Sequence, residues 1–178
     1  EERVIGPSLG AESVRMGTLS VIIGLIAVLI FMITYYKLAG LIANFALIWN
    51  IILVLAILAS LNATLTLPGI AGLILTVGMS IDANVIIFER IREELKKGKG
   101  PKAAVDGGYQ RALTTIIDAN MTTVIAALVL WQFGTGPIKG FATVLFWGIL
   151  ISMFTSIFVT RTIFNFYTNR KKISNLSI

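Results

Sequence analysis

Long apolar runs separated by short polar stretches dominate this chain. Five runs are long enough to cross a bilayer as helices, at about 16–36, 41–61, 67–88, 113–133 and 138–158. About 20 helical residues cover a hydrocarbon core of ~30 Å. The pattern therefore predicts an all-α integral membrane protein with five transmembrane helices. An amphipathic extension carries the fifth run on to Tyr167. The turns at 62–64 and 134–137 are tight, so the runs on either side of each turn are predicted to be antiparallel neighbours.

The polar stretches predict the rest. Residues 1–15 hold Gly6-Pro7 and Gly10 and read as an extended lead-in from an upstream region. The stretch 89–112 is charged and is broken by Gly98, Gly100-Pro101 and Gly107-Gly108. It reads as a loop of two short amphipathic surface helices. Residues 169–178 form a polar tail. The chain opens on Glu1 without a signal-peptide pattern, so we expect it to be part of a longer protein.

Composition narrows the chemistry. The chain is 56% hydrophobic, and mean hydropathy is +0.88. It has no cysteine and no histidine, which removes disulfides, thiol chemistry, His triads and His metal sites. No enzyme activity, metal or cofactor is expected. The net charge of +6 does not point to nucleic acid, because the bases flank the apolar runs as topology signals do. Lys37, Arg90, Arg92, Lys96, Lys97, Lys99, Lys102, Arg111, Arg161, Arg170, Lys171 and Lys172 fall on one side; Arg3, Arg15 and Lys139 fall on the other. Twelve bases against three put the N-terminus outside and the loop and C-terminus inside. Tyr35-Tyr36-Lys37 reads as an interface anchor at the inner boundary.

Asp82 stands deep in the third run, and a charge there costs ~2.5–3.5 kcal/mol on insertion scales. It precedes the boundary residue Arg90 by eight positions, which is ~12 Å of helix. Asp118 follows Arg111 by seven, or ~10 Å. With Asn84 and Asn120 beside them, these carboxylates form a predicted proton relay. Thr115, Asp118 and Thr122 share one helical face, which is expected to point into the bundle. The bland alternative is structural: an intramembrane Asp bonded to a polar group on a neighbouring helix.

Small residues carry the packing expectation. Gly148, Ser152, Ser156 and Thr160 recur every four positions, a pattern for close helix contact. Gly72 belongs to the same kind of contact on the third run. Pro68, Gly69 and Gly78 could let that run bend near Asp82. Asn44 and Asn50 read as interhelical links. The run Glu89, Arg90, Ile91, Arg92, Glu93, Glu94 reads as a solvated helix face, with Glu93 and Lys97 paired four apart.

Residues 78–94 (GMSIDANVIIFERIREE) closely resemble the fourth-helix signature of the SecD family of bacterial protein-export membrane components. Residues 6–10 (GPSLG), 67–72 (LPGIAG), 118–123 (DANMTT) and 134–142 (GTGPIKGFA) agree with it. Ser80 departs from the family habit of a small apolar residue there. The resemblance implies a fold of the resistance-nodulation-division superfamily, a six-helix bundle of which the five runs would be helices two to six. It implies a missing first helix and periplasmic domain upstream. It implies a heterodimer with SecF, contacts with SecYEG and SecA, YajC as a further partner, and a place in the bacterial inner membrane. It makes Asp82 the proton-relay carboxylate of a motor that draws preproteins out on the periplasmic side. A structural scaffold for SecF or SecYEG, and a small-molecule antiporter on the same superfamily fold, are the competing readings.

Overall fold

The computed structural model describes residues 7–63, 66–170 and 178. Its elements are α1 (Pro7–Ser60), α2 (Leu67–Lys96), α3 (Pro101–Phe133), α4 (Pro137–Phe154), one turn of π-helix (Thr155–Val159) and α5 (Thr160–Arg170). Among the described residues, Val14–Ser60, Leu67–Lys96, Pro101–Phe133 and Pro137–Asn169 are long and apolar enough to cross a membrane.

Four such stretches replace the five predicted runs because the first two runs join in α1. That helix reverses at Lys37, where φ is 48° and ψ is −114°. The Asn44 side-chain amide donates to the Leu29 carbonyl at 3.0 Å. In a straight helix those residues would stand about 22 Å apart, so α1 is a hairpin and five apolar passes remain. Gly40 lies at the crossing, where a Cβ would run into the Met32 carbonyl. The predicted lead-in differs too. Its residues 7–15 are the first turns of α1, while residues 1–6 lie outside the described residues, as does most of the predicted tail.

Pro68 and Gly69 start α2 and are not a hinge within it. Thr66 caps the helix by accepting from the Gly69 N–H at 3.3 Å, and Pro68 occupies the first turn, where no backbone N–H is needed. The helix continues unbroken past Gly78, whose missing Cβ would meet nothing within 4 Å.

The predicted 89–112 loop shrinks to residues 97–100. Its two amphipathic helices are the ends of α2 and α3. Gly98, at φ +82°, supplies the left-handed residue that ends α2. Gly107 and Gly108 do not break α3. Gly108 lets α3 lie against the α2 backbone, since a Cβ would sit 2.8 Å from the Ile91 nitrogen.

Helices α2 and α4 run parallel in a regular register. Gly72 faces Phe141 and Val144, and one turn later Thr76 faces Gly148. Ser152 accepts from Asn50 on α1 at 3.4 Å. The small-residue series therefore meets three different partners, with Gly148 against Thr76 of α2, Ser152 against Asn50 of α1 and Thr160 against Tyr109 of α3. The π turn starts between Ser152 and Ser156, and beyond it Thr160 meets the Tyr109 hydroxyl at 2.6 Å.

The run 89–94 is not uniformly solvated, since Ile91 and Glu94 are buried and the other four residues half-buried. Tyr36 donates to Glu89 at 3.1 Å, and Arg92 donates to the same carboxylate at 2.8 Å. The Arg92 guanidinium lies 4.9 and 4.8 Å from the ring centres of Tyr35 and Tyr36. This joins the α1 reversal to α2. Glu93 pairs with Arg90 at 2.9 Å, not with Lys97. Lys97 goes instead to Glu94, which is fully buried and also paired with Lys99 and Arg111.

Hydrogen bonds from Lys97 and then Lys99, with the charge of Arg111 behind them, lower the Glu94 carboxyl from 4.5 to about 2 against the opposing effect of burial. A carboxyl whose folded pKa is depressed stabilises the fold above its unfolded pKa and loses that contribution as pH falls toward its folded one. The difference in unfolding temperature between wild type and Glu94→Gln should be full above pH 4.5 and close as pH approaches 2. A difference that does not change with pH would remove Glu94 from that role.

Candidate functional site

Asp82 faces α3 and not α4. Met79, Asp82, Ala83 and Ile86 on α2 meet Ala119, Asn120 and Thr123 on α3 around a cleft of 140 Å³. The Asp82 side is open to the outside of the bundle. No described residue hydrogen-bonds or ion-pairs with its carboxylate. The Asn120 side-chain amide is engaged, donating to the Ile116 carbonyl at 2.8 Å. The cleft is not the largest one. A cavity of 440 Å³ between the 61–63 turn and the α3–α4 turn is lined by Lys139 and Trp131, among others, and holds no carboxylate.

Of the four predicted relay residues, only Asp82 and Asn120 come together. Positions two apart on a helix are about 200° apart around its axis and do not share a face. Asn84 is therefore fully buried on another side of α2. Its side-chain nitrogen donates to the Ser80 carbonyl at 3.0 Å. Asn84 Oδ1 and Ser80 Oγ are buried without partners, so a second polar place exists inside the bundle. Asp118 does not line the Asp82 cleft.

Thr115, Asp118 and Thr122 share a face, as their spacing predicts, but that face is exposed. The expectation that it points into the bundle is overturned. Ala104, Val105, Gly108, Tyr109, Ala112, Ile116 and Ala127 take the inner side of α3, and they pack more closely and with less polar cost than a Thr–Asp–Thr stripe. Thr123 also lines the cleft. It stands three positions after Asn120, and that spacing marks a shared face.

The Asp82 carboxylate is open, lacks an ion-pair partner among the described residues, and shares its cleft with Asn120 and Thr123. Bonds from the neighbouring polar groups can hold water in a cleft of this kind.

The sequence profile described as "Protein export membrane protein SecD/SecF, C-terminal" matches residues 1–170. The chain belongs to the SecD/SecF protein-export membrane family. It is 56% identical over 178 residues to the protein translocase subunit SecD of Syntrophobacter fumaroxidans, covering all of this chain and 33% of that protein. It is 57% identical to the SecD subunit of Desulfurispirillum indicum, again over all of this chain and 35% of that one. This SecD/SecF-family chain thus spans about a third of the curated relatives it matches. The crystal structure of SecDF from Thermus thermophilus, described as a translocon-associated membrane protein, superposes with a TM-score of 0.90 at 40% identity, covering 95% of this chain and 24% of that one. SecDF in its super-membrane-facing form superposes at 0.87. Family membership and the four apolar stretches together make this a membrane protein of several helices, and the all-α class read from the pattern stands.

Proposed function

We propose that this chain is the membrane part of a SecD subunit that couples proton flow to the release of preproteins on the outer side of the bacterial inner membrane. The observation that carries this reading is the unpartnered Asp82 in the α2–α3 cleft. An acid ~12 Å inside a bilayer boundary is costly to keep charged, and membrane acids of this kind mark ion and proton pathways. The Asp82 opening and the exposed Asp118 face are poor lipid surfaces, and a second chain of the SecF type would cover them. The bases gather at the end with the 97–100 turn, which supports placing that end in the cytoplasm and the N-terminus in the periplasm.

In this mechanism Asp82 alternates between protonated and charged forms. The charged form favours water in the cleft and a different packing of α2 on α3. Moving one proton across 100 mV is worth ~2.3 kcal/mol, enough to change the ratio of two conformations about fifty-fold. SecYEG and SecA would hand over the preprotein, and the role is mechanical, not catalytic.

The test is proton uptake by the full-length SecD–SecF pair in proteoliposomes, with an unfolded preprotein on the outer side. Preprotein-dependent uptake is expected. An equal leak with and without preprotein would favour an antiporter, and no uptake at all would favour a scaffold.

A further inference from the structure

The α3–α5 cleft at the basic end differs in chemistry from the two described above. Its volume is 380 Å³, and Asp106, Tyr109, Gln110, Leu113, Ile157 and Arg161 line it. The Asp82 cleft carries an acid alone and the 440 Å³ cavity a base alone. This one carries both. Arg161 Nη2 stands 3.7 Å from Asp106 Oδ1, beyond hydrogen-bond length, so each group keeps bonding capacity for a third party. Both side chains are about half exposed.

The base is preset. Arg161 lies 5.8 Å from the centre of the Tyr109 ring, and Tyr109 is held by its bond to Thr160. The position along the bundle also matters. Arg161 is the first base after the apolar run of α4, and Ile157 lies one turn before it, toward the membrane. Leu113 stands on the membrane side of Asp106 and Gln110 along α3. The cleft is therefore polar at its aqueous rim and apolar toward the hydrocarbon.

We infer that this cleft binds phosphatidylethanolamine, with the lipid phosphate on Arg161 and its ammonium on Asp106. The Gln110 amide adds a polar contact to the headgroup, and the acyl chains leave over Leu113 and Ile157. A zwitterion with a short arm between its charges matches an acid and a base that form a loose, half-exposed ion pair without a hydrogen bond. An anionic lipid such as phosphatidylglycerol would meet Arg161 but also the Asp106 carboxylate. Phosphatidylcholine has the same arm, but methylation leaves its nitrogen no N–H to donate.

The test uses the full-length protein with its partner subunit, delipidated and offered equal amounts of phosphatidylethanolamine, phosphatidylcholine and phosphatidylglycerol, with retained lipid read by native mass spectrometry. Phosphatidylethanolamine should be retained about tenfold over each of the others, the factor expected from one charge-assisted hydrogen bond. Asp106→Asn, which keeps the shape of the cleft, should erase the preference over phosphatidylcholine. Arg161→Gln should release all three lipids, with the unfolding temperature of both variants checked against wild type. Glycerophosphoethanolamine, the headgroup without chains, should compete poorly. Equal retention of the three lipids, a preference for phosphatidylglycerol, an unchanged preference in Asp106→Asn, or full competition by the chainless headgroup would each overturn the assignment.

Discussion

Asp82→Asn should abolish preprotein-dependent proton uptake by the full-length pair while leaving the protein inserted and folded. Asn fills nearly the same space in the α2–α3 cleft but cannot cycle between charged and neutral forms. Losing a positioned proton carrier typically costs about 100-fold or more in rate. Stability should change little, within about 0.5 kcal/mol, because no described residue bonds to the carboxylate that is lost. Asp118→Asn should reduce uptake less, since Asp118 lies outside the cleft. The scaffold reading makes the opposite prediction, with normal export and normal uptake in Asp82→Asn. Persistent uptake in that variant, at wild-type protein levels, would demote Asp82 to a surface acid.

Gly40→Ala should destabilise the bundle by about 3 kcal/mol or more, at or beyond the usual range for overpacking. The obstacle is the Met32 carbonyl across the α1 reversal, and backbone cannot swing aside as a side chain can. The hairpin is also bonded there by Asn44 and Leu29, so it cannot open without losing a partly buried hydrogen bond. Gly78→Ala and Gly24→Ala supply the contrast. Neither new methyl would meet an atom within 4 Å, and Ala is the better helix former by about 1 kcal/mol in soluble helices. Unfolding in lipid, followed by temperature or steric trapping, separates the cases. A Gly40→Ala protein as stable as Gly78→Ala would mean that the α1 crossing is looser than described.

The legibility of the chain follows the range of the forces involved. The apolar runs were readable because the bilayer requires about 20 apolar residues per crossing wherever they stand. The small residues of α4 were readable from their helical spacing, but not that Gly148 meets α2 while Ser152 meets α1. The reversal at Lys37 was readable only as a boundary. Nothing local announces that a lysine there takes φ 48° and that the helix resumes at once, because the partners that hold it, Met32 with Gly40 and Leu29 with Asn44, lie on both sides of the turn.

Charged residues were the hardest to place. Glu94 looks like its neighbours in a run of alternating charges, yet it is the one buried among Lys97, Lys99 and Arg111. Its environment is assembled from α2, the 97–100 turn and α3 together. The lining of the Asp82 cleft was half readable. Asp82 and Asn120 meet, whereas Asn84 and Asp118 are turned away by the 100° step of the helix.

The amino-acid sequence by itself determined the all-α membrane class, the five apolar passes and the tight turns. Each is set by local composition against the thickness of a bilayer. The tertiary structure alone decided which face each helix shows to which neighbour. It turned Asp82 toward α3, sent the Asp118 face outward, buried Glu94, and left Asp106 and Arg161 as a loose ion pair at 3.7 Å without a hydrogen bond. Those outcomes depend on rotations about helix axes, which are chosen by side-chain volume and bonding across distant segments.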